Sequence, residues 1–135
     1  TIGWNDRLPN LNAAIGVAQL EKLDSRLINK RLLALKYIEA FKSNPFVEIL
    51  EEPENSKSNY WLVSLRIKEE DDNNAQKILY ELLTKSHEIG LLLRPLWIPL
   101  NRLPMYINSP STPTPNSDYE SKRIINLPSS PQLYK

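Results

Sequence analysis

No cysteine occurs among the 135 residues, and histidine, methionine and glycine are nearly as scarce, with one, one and three copies. Without cysteine there is no disulfide framework, no thiolate zinc site and no thiol nucleophile. The lack of cysteine fits a reducing, cytoplasmic setting. The single histidine, His87, leaves no histidine-rich metal centre and no second imidazole. It falls near the end of a helical pattern, where facing the helix dipole or solvent is a plainer role than catalysis. Gly3, Gly16 and Gly90 are scattered, so no glycine-rich phosphate loop exists, and no Ser-His-Asp set can be assembled. Charge of one sign is also missing. The 17 basic and 16 acidic side chains leave a net +1, too little surplus for a strong nucleic-acid binder, which must neutralise phosphates. No run approaches the ~18 consecutive apolar residues of a membrane span, and the N-terminus lacks the basic and apolar regions of a signal peptide. The chain opens at Thr1, with Met105 its one methionine. That predicts a fragment or a processed product, and gives a catalytic residue absent here a place upstream.

The 41% hydrophobic content and the length suit one domain, or one piece of a larger chain, able to bury roughly two-thirds of its unfolded surface. After Pro9, Asn10 is placed to cap a helical pattern over 11–42. Its first part, 13–18, is small and apolar on every side, as in a helix buried all round. Its second part is amphipathic, with Leu20, Leu23, Leu27, Ile28, Leu32, Leu35 and Ile38 at helical spacing. The pattern predicts one long helix, or two joined by a bend at 23–26. A short strand is expected at 46–50, then an acidic turn. A second strand is expected at 59–67, with Trp61, Val63, Leu65 and Ile67 on one face and Tyr60, Leu62, Ser64 and Arg66 on the other. Residues 69–72 read as a solvated charged turn. Residues 73–88 form the cleanest helix, with Ala75, Ile78, Leu79, Leu82 and Leu83 on one face and Gly90 at its left-handed end. A buried strand at 91–93 would complete a strand–helix–strand unit. A polar loop at 108–117, a short helix capped by Asp118 through 123, and an apolar segment at 124–127 follow. The fold class is α/β or α+β, one long helix beside a small sheet.

Two segments carry chemistry. Gly3-Trp4-Asn5-Asp6-Arg7 sets an aromatic, an amide and a guanidinium at the mouth of a helix N-terminus, where free N–H groups favour anions. A structural turn with a surface Asp6–Arg7 ion pair is the plainer reading of these residues alone. The second segment, 91–97, releases Arg94 straight from an apolar run, with Trp97 two residues after Pro95. That is the make-up of a strand-end binding site, or equally of an arginine snorkelling from a sheet edge beside a core tryptophan.

Together these stretches resemble the C-terminal third of the DegT-type sugar aminotransferases, fold-type-I enzymes that use pyridoxal 5'-phosphate (PLP). Gly3-Trp4-Asn5-Asp6-Arg7-Leu8 is similar to the family's Gly-Tyr-Asn-x-Arg-Leu/Met motif, and 13–20 to its Ala-Ala-x-Gly-x-x-Gln-Leu helix. Arg94-Pro95-Leu96-Trp97-Ile98-Pro99-Leu100-Asn101 through Tyr106 resembles Arg-Pro-x-x-x-Pro-Leu-His-x-x-Pro-x-Tyr. Trp4 stands for the usual Tyr and Asn101 for the frequent His. The Arg-Pro-Leu-Trp, Leu-Pro-Met-Tyr and 126–130 stretches look most like the branch linked to legionaminic-acid-type sugars. The resemblance implies an α/β C-terminal part, with the PLP-site loop and connecting helix at 1–42 and a small α/β domain at 43–135. It implies an amino transfer from glutamate to a nucleotide-linked 4-keto-6-deoxy sugar, PLP as cofactor, and a homodimer sharing the site. It places the PLP lysine upstream, so this stretch alone holds no catalytic residue and is inactive. Asn5 would reach the PLP phosphate across the dimer. Arg7, Arg94, Trp97 and Tyr106 would lie on the substrate side, with guanidinium to pyrophosphate and indole against sugar or base. The rivals are a sugar dehydratase of the same family, in which a histidine replaces that lysine, and a non-catalytic dimerisation module.

Overall fold

A computed structural model of the chain describes Gly3 and residues 7–134. Helix α1 (Asn10–Leu20) and helix α2 (Leu23–Phe41) are separated by a turn at Glu21 and Lys22. The helical pattern is therefore two helices, broken just before the expected bend. Pro9, not Asn10, occupies the N-cap position, and no side chain caps that end. None of the residues of α1 is buried within this chain, so the all-apolar stretch at 13–18 finds no cover here.

Strand β1 (Val47–Ile49), strand β2 (Val63–Ile67), helix α3 (Asp72–Glu88), strand β3 (Arg94–Pro95), helix α4 (Pro115–Glu120) and strand β4 (Ile124–Leu127) follow in order. The sheet order is β1-β2-β4-β3, with every neighbouring pair antiparallel. The last strand in sequence thus lies between β2 and β3, which makes the strand–helix–strand unit a split one. Val63, Leu65, Ile67, Ile125 and Leu127 form the sheet side of the core. They meet Ala34 of α2 and Leu79 and Leu83 of α3, flanked by Tyr37, Ile38 and Phe41. On the opposite side of the pleat, Ser64 donates to the Oδ1 of its register partner Asn126 at 2.9 Å. There Arg66 also pairs with Glu48 and Glu120.

Helix α3 starts where Asp71 accepts from the backbone N–H groups of Asn73 and Asn74, satisfying two of its orphan donors. It stops at Gly90, whose φ of 76° is in the left-handed region, with the Leu91 N–H returning to the Ser86 carbonyl at 2.8 Å. The 69–72 turn is more than a solvated loop. Arg123 is fully buried and donates to the Glu69 and Glu70 carbonyls and to Asp72 Oδ1, at 2.8, 2.7 and 2.7 Å.

Three local expectations are corrected. Residues 91–93 form no strand: Leu91 and Leu92 are exposed. The Leu91 N–H closes α3, and the Leu93 carbonyl meets His87 Nε2 at 2.9 Å. The alternation at 59–67 breaks at Tyr60, which has a positive φ of 46°. Tyr60 is buried and Trp61 is exposed, the reverse of the expected faces. Helix α4 begins after Thr114 with proline in its first turn, and Asp118 lies inside it.

Candidate functional site

The chain leaves the sheet at Pro95 and returns to it at Ile124. The Leu96 N–H still donates to the Ile124 carbonyl at 3.0 Å, so both ends of the excursion are pinned to one ladder. Between them, residues 94–117 enclose a cleft of 1510 Å³. Arg94, Trp97 and Tyr106, all singled out from the sequence, line it together. Arg94 faces it from the short edge strand β3, beside the central β4.

The walls are held by side chains whose partners sit across the loop. Arg102, in a 3-10 turn at Leu100–Arg102, grips Asp118 of α4 through two parallel hydrogen bonds of 3.0 and 2.9 Å. Such a fork fixes orientation as well as distance. The hydrogen bond from Arg102 holds the Asp118 carboxyl below its ordinary value, while the same bond raises the guanidinium; the pair stays ionised. Asn101 Nδ2 donates to Thr114 Oγ1 at 3.2 Å. Asn101 is thus partly occupied in closing the loop. The lining is mostly hydrocarbon, with one guanidinium, one phenol and an indole converging on it, which is the usual composition of a small-molecule cleft. Its lining contains no lysine.

Trp97 does not stand alone. Its ring stacks on Trp61 with centroids 5.8 Å apart and planes at 24°. Trp61 lines a second, smaller cleft of 730 Å³ that also takes in Lys30, Arg26 and Tyr134. Burial lowers the Lys30 ammonium pKa, and Lys30 donates to the carbonyls of Trp61 and Ser129. Trp61 was hidden from sequence reasoning by its place in an alternating run. The signal was the aromatic pair Tyr60-Trp61 at the start of that run. Arg7 lines neither cleft, and Asn5 lies outside the described residues. Among the described residues no helix is long and apolar enough to cross a membrane.

The α/β fold is that of the C-terminal part of a PLP-dependent transferase. Residues 1–135 match the DegT/DnrJ/EryC1/StrS aminotransferase family, and the chain belongs to it. It is 35% identical over 133 residues to the GDP-perosamine synthase of Vibrio cholerae, covering 98% of this chain and 35% of that relative. The chain therefore spans about a third of the length of that enzyme. Among solved structures, it superposes on the Helicobacter pylori aminotransferase PseC, involved in the biosynthesis of pseudoaminic acid. The TM-score is 0.80 at 24% identity, covering 98% of this chain and 35% of that one. The Escherichia coli GDP-4-keto-6-deoxy-D-mannose-3-dehydratase with bound hydrated PLP shares the fold at TM-score 0.76 and 21% identity, covering 96% of this chain and 33% of that one.

Proposed function

We propose that this chain is the C-terminal part of a cytoplasmic, homodimeric, PLP-dependent aminotransferase. The enzyme would move an amino group from glutamate to a nucleotide-linked 4-keto-6-deoxy sugar destined for surface polysaccharide or nonulosonic acid. The observation that carries this reading is the convergence of Arg94, Trp97 and Tyr106 on one cleft in a chain of this family. PLP, when bound, supplies the electron sink for the transfer. The lysine that would anchor it belongs upstream of Gly3, so residues 1–135 alone are inactive. Asn5 would donate to its phosphate from the partner subunit. Arg7 would brace that loop or meet a substrate phosphate. Arg94 would pair with the pyrophosphate of the nucleotide sugar, a role suited to a planar fork of donors. Trp97 would lie against the sugar or base, and Tyr106 would offer a hydroxyl at the cleft rim. The Arg-Pro-Leu-Trp and Leu-Pro-Met-Tyr stretches support an acetamido sugar of the legionaminic type; the likeness to a perosamine synthase supports a GDP-linked one.

The test is the visible spectrum of the full-length protein loaded with PLP, before and after adding glutamate. Conversion to the pyridoxamine form, followed by amination of a UDP- or GDP-linked 4-keto-6-deoxy sugar, is the expected result. Bound PLP that does not exchange with glutamate would favour the dehydratase reading instead. A full-length protein that takes up no PLP would leave the dimerisation module.

A further inference from the structure

We infer that Trp61 is a positioning residue for the substrate side of the cleft, acting by backing Trp97; this rests on the substrate reading above. The first observation is a strained backbone. Tyr60 has a φ of 46°, a region bulky side chains rarely adopt and keep only where their surroundings over-determine it. Those surroundings are built here. The Tyr60 ring is buried under the Arg31 guanidinium, 5.4 Å from its centroid. Arg31 is paired with Glu52 and donates to the Ser58 carbonyl at 2.7 Å, while Glu52 accepts the Ser58 N–H at 2.6 Å.

The second observation is what this turn delivers. The Trp61 N–H donates to Asn59 Oδ1 at 2.9 Å. Its carbonyl accepts from Ser129 Oγ at 2.9 Å and from Lys30 Nζ at 3.1 Å. Backbone on both sides of Trp61 is therefore clamped, while the residue is 66% exposed. A core strand would have buried that ring for its area. The turn instead carries it outward, onto one face of Trp97, whose ring lines the large cleft. An indole on a mobile loop loses rotamer freedom when a ligand stacks on it; one already stacked from behind has lost it beforehand, so less is lost on binding. The stacked pair also links the two clefts, since Trp97 lines one and Trp61 the other.

The experiment uses the full-length protein with PLP, and the variants Trp61→Ala and Trp61→Phe. Two indoles this close couple excitonically, and the resulting far-ultraviolet circular dichroism couplet should vanish in Trp61→Ala. In the same variant the KM for nucleotide sugar should rise about two- to tenfold, the fold-change an aromatic pair supplies, with kcat and the KM for glutamate unmoved. Trp61→Phe, which keeps a ring behind Trp97, should recover most of the lost affinity. A couplet unaltered by Trp61→Ala would overturn the inference. So would an unchanged sugar KM in a variant that has lost the couplet. Absence of sugar turnover by the unaltered protein would overturn the substrate reading, and this one with it. The couplet is read without substrate, so the two failures are told apart.

Discussion

Single residues decide where this fold turns. Gly90 has a φ of 76°, and a Cβ built there meets nothing within 4 Å. Replacement by alanine therefore adds no clash, only the left-handed penalty of about 1–2 kcal/mol. Gly90→Ala should lower unfolding stability by that amount, measured by urea titration, with the cleft unaltered. Arg94 is the converse case: exposed on an edge strand, it contributes little to packing. Arg94→Ala should leave stability within about 0.5 kcal/mol of the parent and raise the KM for nucleotide sugar; an unmoved KM would remove it from the site. Gly90 as a helix end, and Arg94, Trp97 and Tyr106 as residues that line one cleft, were legible because each belongs to a local pattern: a helix end, or a run of Arg, Pro and aromatics. Tyr60 and Trp61 were not legible. Their partners are Arg31 at Tyr60 and Ser129 and Lys30 at Trp61, up to 68 positions away, and strand periodicity holds no trace of them. Arg123 was hidden in the same way, its partners lying some 50 residues upstream.

At the scale of elements, α3 was readable because its period and its stop at Gly90 agree, and β2 was readable only over 63–67, where its alternation holds. The 91–93 segment was not, since an apolar triplet serves a strand or a helix exit equally well. Its exit role depends on Gly90 turning the backbone so that the Leu91 N–H reaches Ser86. The joint between α3 and the end of α4 rests on Asp72, which receives hydrogen bonds from Lys122 and Arg123 that hold its carboxyl below the ordinary 3.8. A group with a depressed folded pKa stabilises fully above its unfolded value, and that contribution fades as pH falls through the folded one. The melting temperature should therefore drop on the acid side of pH 3.8. Asp72→Asn should be less stable at neutral pH and should flatten that acid limb, as followed by thermal melts across pH. Arg123→Met should cost more, about 3 kcal/mol, because it strips donors from three backbone carbonyls at once, those of Glu69, Glu70 and Tyr119.

Across the whole molecule, burial is unevenly spread. The sheet, α2 and α3 share one core, while α1 exposes Leu11, Ile15, Val17 and Leu20. An 11-residue helix without packing is marginal in water. In isolated residues 1–135 the amides of α1 should exchange with deuterium far faster than those of α3. In the full-length protein they should be slowed, and equal rates in the two settings would show that nothing outside residues 1–135 covers α1.

The position of β4 carries a consequence for how the chain is made. Residues 124–127 are the centre of the sheet, paired on both sides, yet nearly everything else in the fold precedes them. On the ribosome, β1, β2 and α3 emerge first and must wait with an open sheet edge, because their third partner has not been translated. Contacts of such long sequence separation close slowly. The waiting intermediate is the stage at which a stalled or truncated nascent chain would meet chaperones or aggregate.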